Sequence, residues 1–249
     1  MRYFLWLSYD GTRYNGWQAQ PEQLTVQGEI ERALKVYYRK EITIYGCGRT
    51  DTGVHASKYC CHLDSDVAMD FNDLYHLNAI LHADTVLIEI QAVKDDAHAR
   101  FDAYSRSYQY FIRYRKSPFH INHSFPVYYF DKIDQDLLQA AADTITAYRD
   151  FTTFCKVESD VKSNNCDIST AMWEFYDNHA VFSITANRFL RGMVRMIVGM
   201  NLNVAIGKIQ LDDVIDCLEN QQRMKIDWSV PACGLFLCDV KYPKSVFLK

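Results

Sequence analysis

The order of apolar segments in the first hundred residues constrains the fold more strongly than any other feature of this sequence. Strand-like apolar runs occupy residues 2–9, 41–45, 58–63 and 85–93. Apolar residues at helical spacing predict one helix capped by Thr25 and a second opened by Asp70 or Asn72. The resulting β-α-β-β-α-β order is that of the split ferredoxin-like arrangement, an antiparallel sheet with both helices on one side.

A second α+β pattern begins after residue 103. Its predicted elements are a strand over 105–114, a helix over 134–148, a hairpin over 168–176 and 180–186, helices over 187–206 and 211–220, and a closing strand over 234–242. No low-complexity linker separates the two halves of the sequence. We therefore expect two subdomains, residues 1–103 and 104–249, joined by an extensive interface of the kind that often holds a catalytic cleft.

Composition excludes several classes of protein. With 49% hydrophobic and 23% charged residues, the chain is typical of a globular protein rather than a disordered one. No apolar run reaches the length of a membrane span, and the first residues enter a strand pattern without a cleavage-like site, so we expect a cytoplasmic protein. The eight cysteines include no C-x-x-C pair and the eight histidines no H-x-x-x-H pair, which predicts reduced core thiols and no structural metal.

Residues 46–56 concentrate chemistry in a glycine-rich segment between two predicted strands. The segment reads GCGRTDTGVHA and contains Arg49, Asp51 and His55. Arg49 and Asp51 are two residues apart, so in an extended segment both side chains would point to the same face. A carboxylate held beside an arginine stays ionised at neutral pH. The alternative is a structural turn with a surface ion pair of little energetic value.

Two cationic zones interrupt a chain whose formal net charge is −4. Residues 98–116 carry five basic side chains against the single acid Asp102, and these are Arg100, Arg106, Arg113, Arg115 and Lys116. Such zones are either solvated faces balanced elsewhere or contacts to a polyanion.

The second zone lies in the predicted helix over residues 187–206. Arg188, Arg191 and Arg195 occur there at i, i+3 and i+7, which would make one cationic stripe on an otherwise apolar helix. These arginines either pair with the acidic residues of the following helix, or Arg195 reaches a carboxylate in a cleft while the other two contact phosphate.

Tyr108 is also open to two interpretations. It lies on a predicted strand, where a tyrosine is usually part of the core. Because Arg106 is on the same face, Tyr108 could instead stack on an extracted base whose strand the cation holds.

The motifs of the chain, taken in order, resemble those of one enzyme family. They are Tyr9-Asp10-Gly11-Thr12, Gly16-Trp17-Gln18, Gly48 to His55, His98-Ala99-Arg100-Phe101, Arg106 to Tyr110, Asp150-Phe151-Thr152, Phe189 to Gly199, and Gly234-Leu235-Phe236. Their order and spacing resemble the TruA-type tRNA pseudouridine synthases along essentially the whole chain.

The resemblance implies a pseudouridine synthase fold, an α+β protein of two ferredoxin-like or RRM-like subdomains whose mostly antiparallel sheets meet at a central basic cleft. It implies a homodimer that needs no cofactor and no metal. It also implies that the substrate is the tRNA anticodon stem-loop, in which uridines at positions 38–40 become pseudouridine.

The resemblance also implies roles for individual residues. Asp51 would be the catalytic carboxylate and Arg195 its ion-pair partner. Tyr108 would stack on the target base, and Arg49 would help to extract the nucleotide. The further candidates for substrate binding are Arg100, Arg106, Arg188, Arg191 and His55.

Two other functions compete with this interpretation. A non-catalytic tRNA-binding protein or RNA chaperone could keep the same fold and basic cleft. A phosphohydrolase built on Asp10-Gly11-Thr12 is disfavoured, because Ser8 stands where the companion aspartate of that signature belongs.

Overall fold

A computed structural model describes residues 1–155, 163–223 and 229–248 and divides the chain into two compact units. Unit 1 comprises Met1–Arg106 and Phe236–Lys249, and unit 2 comprises Ser107–Leu235. The C-terminal segment therefore belongs to unit 1, whereas the sequence suggested a single division after residue 103. The predicted α+β class with mostly antiparallel strands is confirmed.

Unit 1 is built on an antiparallel sheet with two helices. Its elements are β1 (Arg2–Tyr9), α1 (Val26–Tyr38), β2 (Ile44–Gly46), β3 (His55–Asp64), α2 (Phe71–Ile80), β4 (Thr85–Val93) and β9 (Leu235–Lys241). The strand order is β4-β1-β3, with β2 pairing antiparallel to the second half of β3. β9 runs parallel to the start of β3, where His55 is opposite Phe236.

The core of unit 1 follows from the alternation of side chains along β1. Leu5 and Leu7 are fully buried, while Phe4 and Trp6, on the opposite face of the strand, both contact the ring of Tyr242. α1 contacts α2, so the two helices lie on the same side of the sheet.

The helices of unit 1 begin where the sequence predicts. Thr25 caps α1 by accepting a hydrogen bond from the Gly28 amide, and Asp70 forms a capping box with Asp73 at the start of α2. α1 ends at Tyr38, and the next residue, Arg39, adopts a left-handed conformation with φ of 56°.

In its described residues, unit 2 combines a small sheet with three α-helices. Its elements are β5 (Ser105–Arg113), whose first two residues belong to unit 1, and β6 (Phe125–Pro126), α3 (Gln135–Ile145), β7 (Ile168–Phe175), β8 (His179–Ala186), α4 (Met193–Ala205) and α5 (Leu211–Glu219). β7 and β8 form the predicted hairpin, and β8 also pairs with β5. α3 packs on α4 and on β7. The predicted loop over residues 156–165 lies mostly outside the described residues.

The helix predicted over residues 187–206 begins six residues before the observed helix α4 (Met193–Ala205). Gly192 adopts a left-handed conformation with φ of 72°, and α4 starts only at Met193. Arg188 and Arg191 therefore precede the helix, and the expected helical stripe with Arg195 is wrong. Phe189 and Leu190 extend the apolar pattern of the helix in the sequence, but they lie in an irregular segment. Their apolar side chains are there because Leu190 is buried and Phe189 partly buried, not because the backbone is helical.

In the part of the chain that the structure describes, no helix is both long and apolar enough to cross a membrane.

Candidate active site

The loop that carries Asp51 ends in a tight turn. The amide of Val54 donates a hydrogen bond to the carbonyl of Asp51 at 3.1 Å, and Gly53 has a positive φ of 78°. A glycine is favoured at that position because other residues rarely adopt such angles. Asp51 is partly exposed and Arg49 exposed, so both residues reach the surface of the loop.

The backbone of the loop is clamped next to Asp51 by two motifs from the start of the chain. The Trp17 amide donates to the Thr50 carbonyl at 3.2 Å, and the Tyr9 hydroxyl lies 2.9 Å from the Thr50 hydroxyl. Gly16 has a φ of 82°, and a Cβ there would lie 3.2 Å from the carbonyl carbon of Asp51. The close approach of the two segments therefore requires glycine at position 16.

An aromatic stack supports the first half of the loop. The rings of Trp17 and Tyr59 stack with centroids 4.0 Å apart, and the Tyr59 hydroxyl donates to the Gly48 carbonyl. Burial raises the pKa of Tyr59 well above its ordinary value, so the hydroxyl keeps its proton and remains a donor at neutral pH. A side chain at Gly46 would collide with both rings.

His55 lies inside the unit rather than on its surface. It is 1% exposed, and its ring stacks on Phe236 with centroids 4.4 Å apart. The amide of Gly11 donates to its Nδ1 atom at 3.0 Å, and the carboxylate of Asp10 lies 3.1 Å from the same atom. His55 therefore connects the Asp10-Gly11 turn to the end of the Asp51 loop.

Arg106 is held by backbone carbonyls of unit 1. Its guanidinium donates to Ala103 at 2.8 Å, to Arg100 at 2.6 Å and to Cys47 at 3.1 Å. These bonds fasten the segment around residue 100 to the loop that carries Asp51. Arg100 itself is exposed, and its guanidinium lies over the ring of Phe101 at 5.6 Å.

Arg113, another member of the cationic segment, is a structural residue of unit 2. It is 8% exposed and donates to the hydroxyl and carbonyl of Ser124 and to the carbonyl of His120. Its burial leaves it little access to a phosphate, contrary to what its place in the cationic segment suggests.

Arg195 lies in the first turn of α4, and its side chain is bound to the backbone of Val230. Its Nε atom donates to the carbonyl of Val230 at 2.7 Å, and the amide of Val230 donates back to the carbonyl of Arg195 at 3.3 Å. Because the guanidinium is planar, this bond also restricts the orientation of its two terminal nitrogens. Of the two arginines before α4, Arg191 is exposed and Arg188 partly buried.

Tyr108 and Tyr110 lie on the same face of β5 but in different environments. Tyr110 is fully buried and donates its hydroxyl to the carbonyl of Pro231 at 2.8 Å. Tyr108 is only partly buried, and its ring meets Phe189 edge to face, with centroids 5.2 Å apart. The core interpretation of a strand tyrosine applies to Tyr110, whereas Tyr108 is only partly buried.

Sequence reasoning missed the residues that position this chemistry. Four contacts of these residues join segments that are distant in sequence. They are the clamp on Thr50, the stack of Trp17 on Tyr59, the contact of Phe189 with Tyr108 and the bond from Arg195 to the Val230 carbonyl. Glycines at positions 16 and 46 were the available signal, because glycine in or beside a strand often marks close approach of another segment.

The chain matches one protein family. The sequence profile of a family described as tRNA pseudouridine synthase matches residues 147–243. A relative from Azobacteroides pseudotrichonymphae is 41% identical over 99% of this chain and 98% of its own length. A relative from Bacteroides thetaiotaomicron is 42% identical over 99% of this chain and 92% of its own length. A relative from Bacillus subtilis is 34% identical over 97% of this chain and 99% of its own length. All three relatives are named tRNA pseudouridine synthase A.

Proposed function

Because the chain belongs to the tRNA pseudouridine synthase A family, we propose that it isomerises uridine to pseudouridine at positions 38–40 of the tRNA anticodon stem-loop. Membership makes the protein an isomerase that acts on tRNA. The observation that supports Asp51 as the reacting group is the clamped loop, which presents a partly exposed carboxylate on backbone held from two sides.

The chemistry of the isomerisation suits such a site. The bond between N1 of uracil and C1′ of the ribose breaks, the base rotates, and C5 bonds to C1′. The hydrogen on C5 leaves as a proton and N1 gains one, so atoms and electrons balance without an oxidant or reductant. A carboxylate can serve as the nucleophile or the base of this sequence.

The target base must leave its helix before it can react. Extracting a base from a stack costs a few kcal/mol. We propose that Tyr108, which is only partly buried, stacks on the extracted base, and that the exposed Arg49 assists the extraction. Arg195, Arg100, Arg188 and Arg191 are proposed to contact the substrate, and the buried His55 and the carbonyl-bound Arg106 to act on it through the loop they support.

Release of tritium from tRNA labelled at uracil C5 tests this function. We expect release by the wild type and none by Asp51→Asn, which keeps the shape of the side chain but removes its charge. Asp66→Asn is a matched control, because Asp66 pairs with Lys40 on the surface of unit 1. Equal release by wild type and Asp51→Asn would remove Asp51 from the mechanism.

The same assay separates the competing function. A wild-type protein that binds tRNA without releasing tritium would be a binding protein or chaperone on the same fold. The homodimer and the two subdomains meeting at a basic cleft, which the resemblance implies, stay predictions, and so does the cytoplasmic location inferred from the apolar pattern of the sequence. Light scattering of the purified protein tests the dimer.

A further inference from the structure

A row of aromatic rings lies on unit 1 beside the Asp51 loop. Tyr45 in β2 stacks on His62 in β3 with centroids 5.0 Å apart and an angle of 21° between the rings. His62 meets His98 at 4.4 Å, and His98 meets Phe101 at 4.2 Å. We call these four residues the aromatic row. Its centre is buried, since His62 is 3% exposed, while its ends are open, with Tyr45 52% and Phe101 73% exposed.

Hydrogen bonds hold the row in place. The amide of Ala99 donates to Nδ1 of His62 at 3.2 Å, and the amide of Arg100 donates to Nδ1 of His98 at 3.1 Å. The carboxylate of Asp102 accepts from the amide of His98 at 2.7 Å. Burial lowers the pKa of both histidines, that of His62 to about 4, so the two rings are uncharged at neutral pH and do not repel each other.

A cation and a structural link distinguish the Phe101 end of the row. The guanidinium of Arg100 lies over the Phe101 ring. One nitrogen of Arg106 donates both to the carbonyl of Arg100 and to the carbonyl of Cys47, at the start of the Asp51 loop. Because a single atom contacts both segments, Phe101 is carried on backbone fastened to the catalytic loop.

We propose that Phe101 is a platform on which an unpaired base of the tRNA, other than the target uridine, stacks while Arg100 contacts the adjoining phosphate. This inference rests on the proposed function. An exposed aromatic ring beside a guanidinium fits single-stranded RNA, which offers a flat base next to a negative charge at each nucleotide. The link to Cys47 would then hold the bound strand in register with Asp51.

The experiment measures tRNA affinity and tritium-release kinetics with an unmodified transcript carrying uridines at positions 38–40. Phe101→Leu keeps apolar bulk and removes the ring, and Phe101→Trp keeps an aromatic face. We expect Phe101→Leu to raise Kd and KM by about fivefold to a hundredfold, the value of one stacked base, with kcat unchanged. Phe101→Trp should bind like the wild type. Phe71→Leu is the matched control, since Phe71 is 80% exposed on α2 and should affect neither constant.

Three results would overturn the platform. Phe101→Leu could bind tRNA as tightly as the wild type, Phe71→Leu could weaken binding equally, or Phe101→Leu could turn a dimer into a monomer in light scattering, which would make Phe101 a contact between copies of the chain. The proposed function fails separately. A wild type that releases no tritium removes the isomerisation, while the tRNA affinity of Phe101→Leu still decides the platform.

Discussion

The loop that carries Asp51 and the helix that carries Arg195 hold their charged side chains in different ways. Asp51 lies on irregular backbone, so its position depends on bonds from other segments, namely the Trp17 amide and the Tyr9 hydroxyl on Thr50 and the Tyr59 hydroxyl on Gly48. Arg195 lies on a regular helix that fixes its backbone, and its side chain donates a hydrogen bond to the carbonyl of Val230.

This difference has a consequence for mutations. A carboxylate on a clamped loop should be sensitive to changes in residues that never contact the substrate, because each clamp limits the freedom of the loop. A cation on a helix should be sensitive mainly to changes in its own side chain, because helical hydrogen bonds hold the backbone regardless of neighbours.

The largest expected effect is that of Gly46→Ala in unit 1. The added Cβ would lie 2.5 Å from Nε1 and 2.6 Å from Cε2 of Trp17 and would also overlap the Tyr59 hydroxyl. The stack must move, and we expect a loss of about 1–3 kcal/mol in the free energy of unfolding, typical of an overpacked core, together with loss of tritium release. Urea denaturation measures the stability.

Gly48→Ala is the control for that prediction. Among the described residues, no atom outside Gly48 and its two chain neighbours lies within 4 Å of a Cβ built there, so the substitution should change stability by about 0.5 kcal/mol or less. A Gly46→Ala protein as stable and active as Gly48→Ala would show that the stack does not position the loop.

Arg195→Lys tests the other side of the comparison. Lysine keeps the charge but has no Nε donor at the position that meets the Val230 carbonyl. We expect about 1–2 kcal/mol less stability and a fall in kcat, because an ammonium on a flexible stem is no longer oriented. Thermal unfolding and tritium release measure the two effects.

Arg191→Lys is the matched control for the stability measurement, because it makes the same substitution at an exposed residue that precedes α4. It should leave the free energy of unfolding unaltered. If Arg195→Lys retains both full stability and full kcat, then charge alone suffices at position 195 and the bond to Val230 has no role in the reaction.

Local sequence signals predicted most of the elements but not the contacts between distant segments. Thr25 and Asp134, the first residue of the helix predicted over 134–148, identified two helix starts, and Asp70 was one of two candidates for a third, because a capping side chain acts on the backbone of its own first turn. The pairing of His55 with Phe236 joins strands far apart in the chain, and no local pattern specifies it. The start of α4 was misplaced because the apolar pattern outweighed the single signal of Gly192.

The candidate site was predictable to a similar degree. Residue types and the family resemblance singled out Asp51, Tyr108 and Arg195, and their roles stay predictions. The sequence could not show that Arg106 is bound to three carbonyls or that His55 is enclosed, since a cation or an imidazole has the same letter whether it faces solvent or the interior.

The smallest expected effect is that of Tyr59→Phe, which removes one clamp and keeps the stack. The ring can still lie on Trp17, while the carbonyl of Gly48 loses its donor. We expect a loss of about 0.5–1.5 kcal/mol in stability.

Tyr37→Phe is the control for this prediction. It also removes a hydrogen bond made by a tyrosine hydroxyl, but that bond joins Tyr37 in α1 to Asp73 in α2 and does not involve the Asp51 loop. If the clamps position Asp51, kcat falls in Tyr59→Phe and not in Tyr37→Phe. A parallel response of kcat in the two variants would mean that Asp51 reports only the overall stability of unit 1, and the contrast with Arg195 would then disappear.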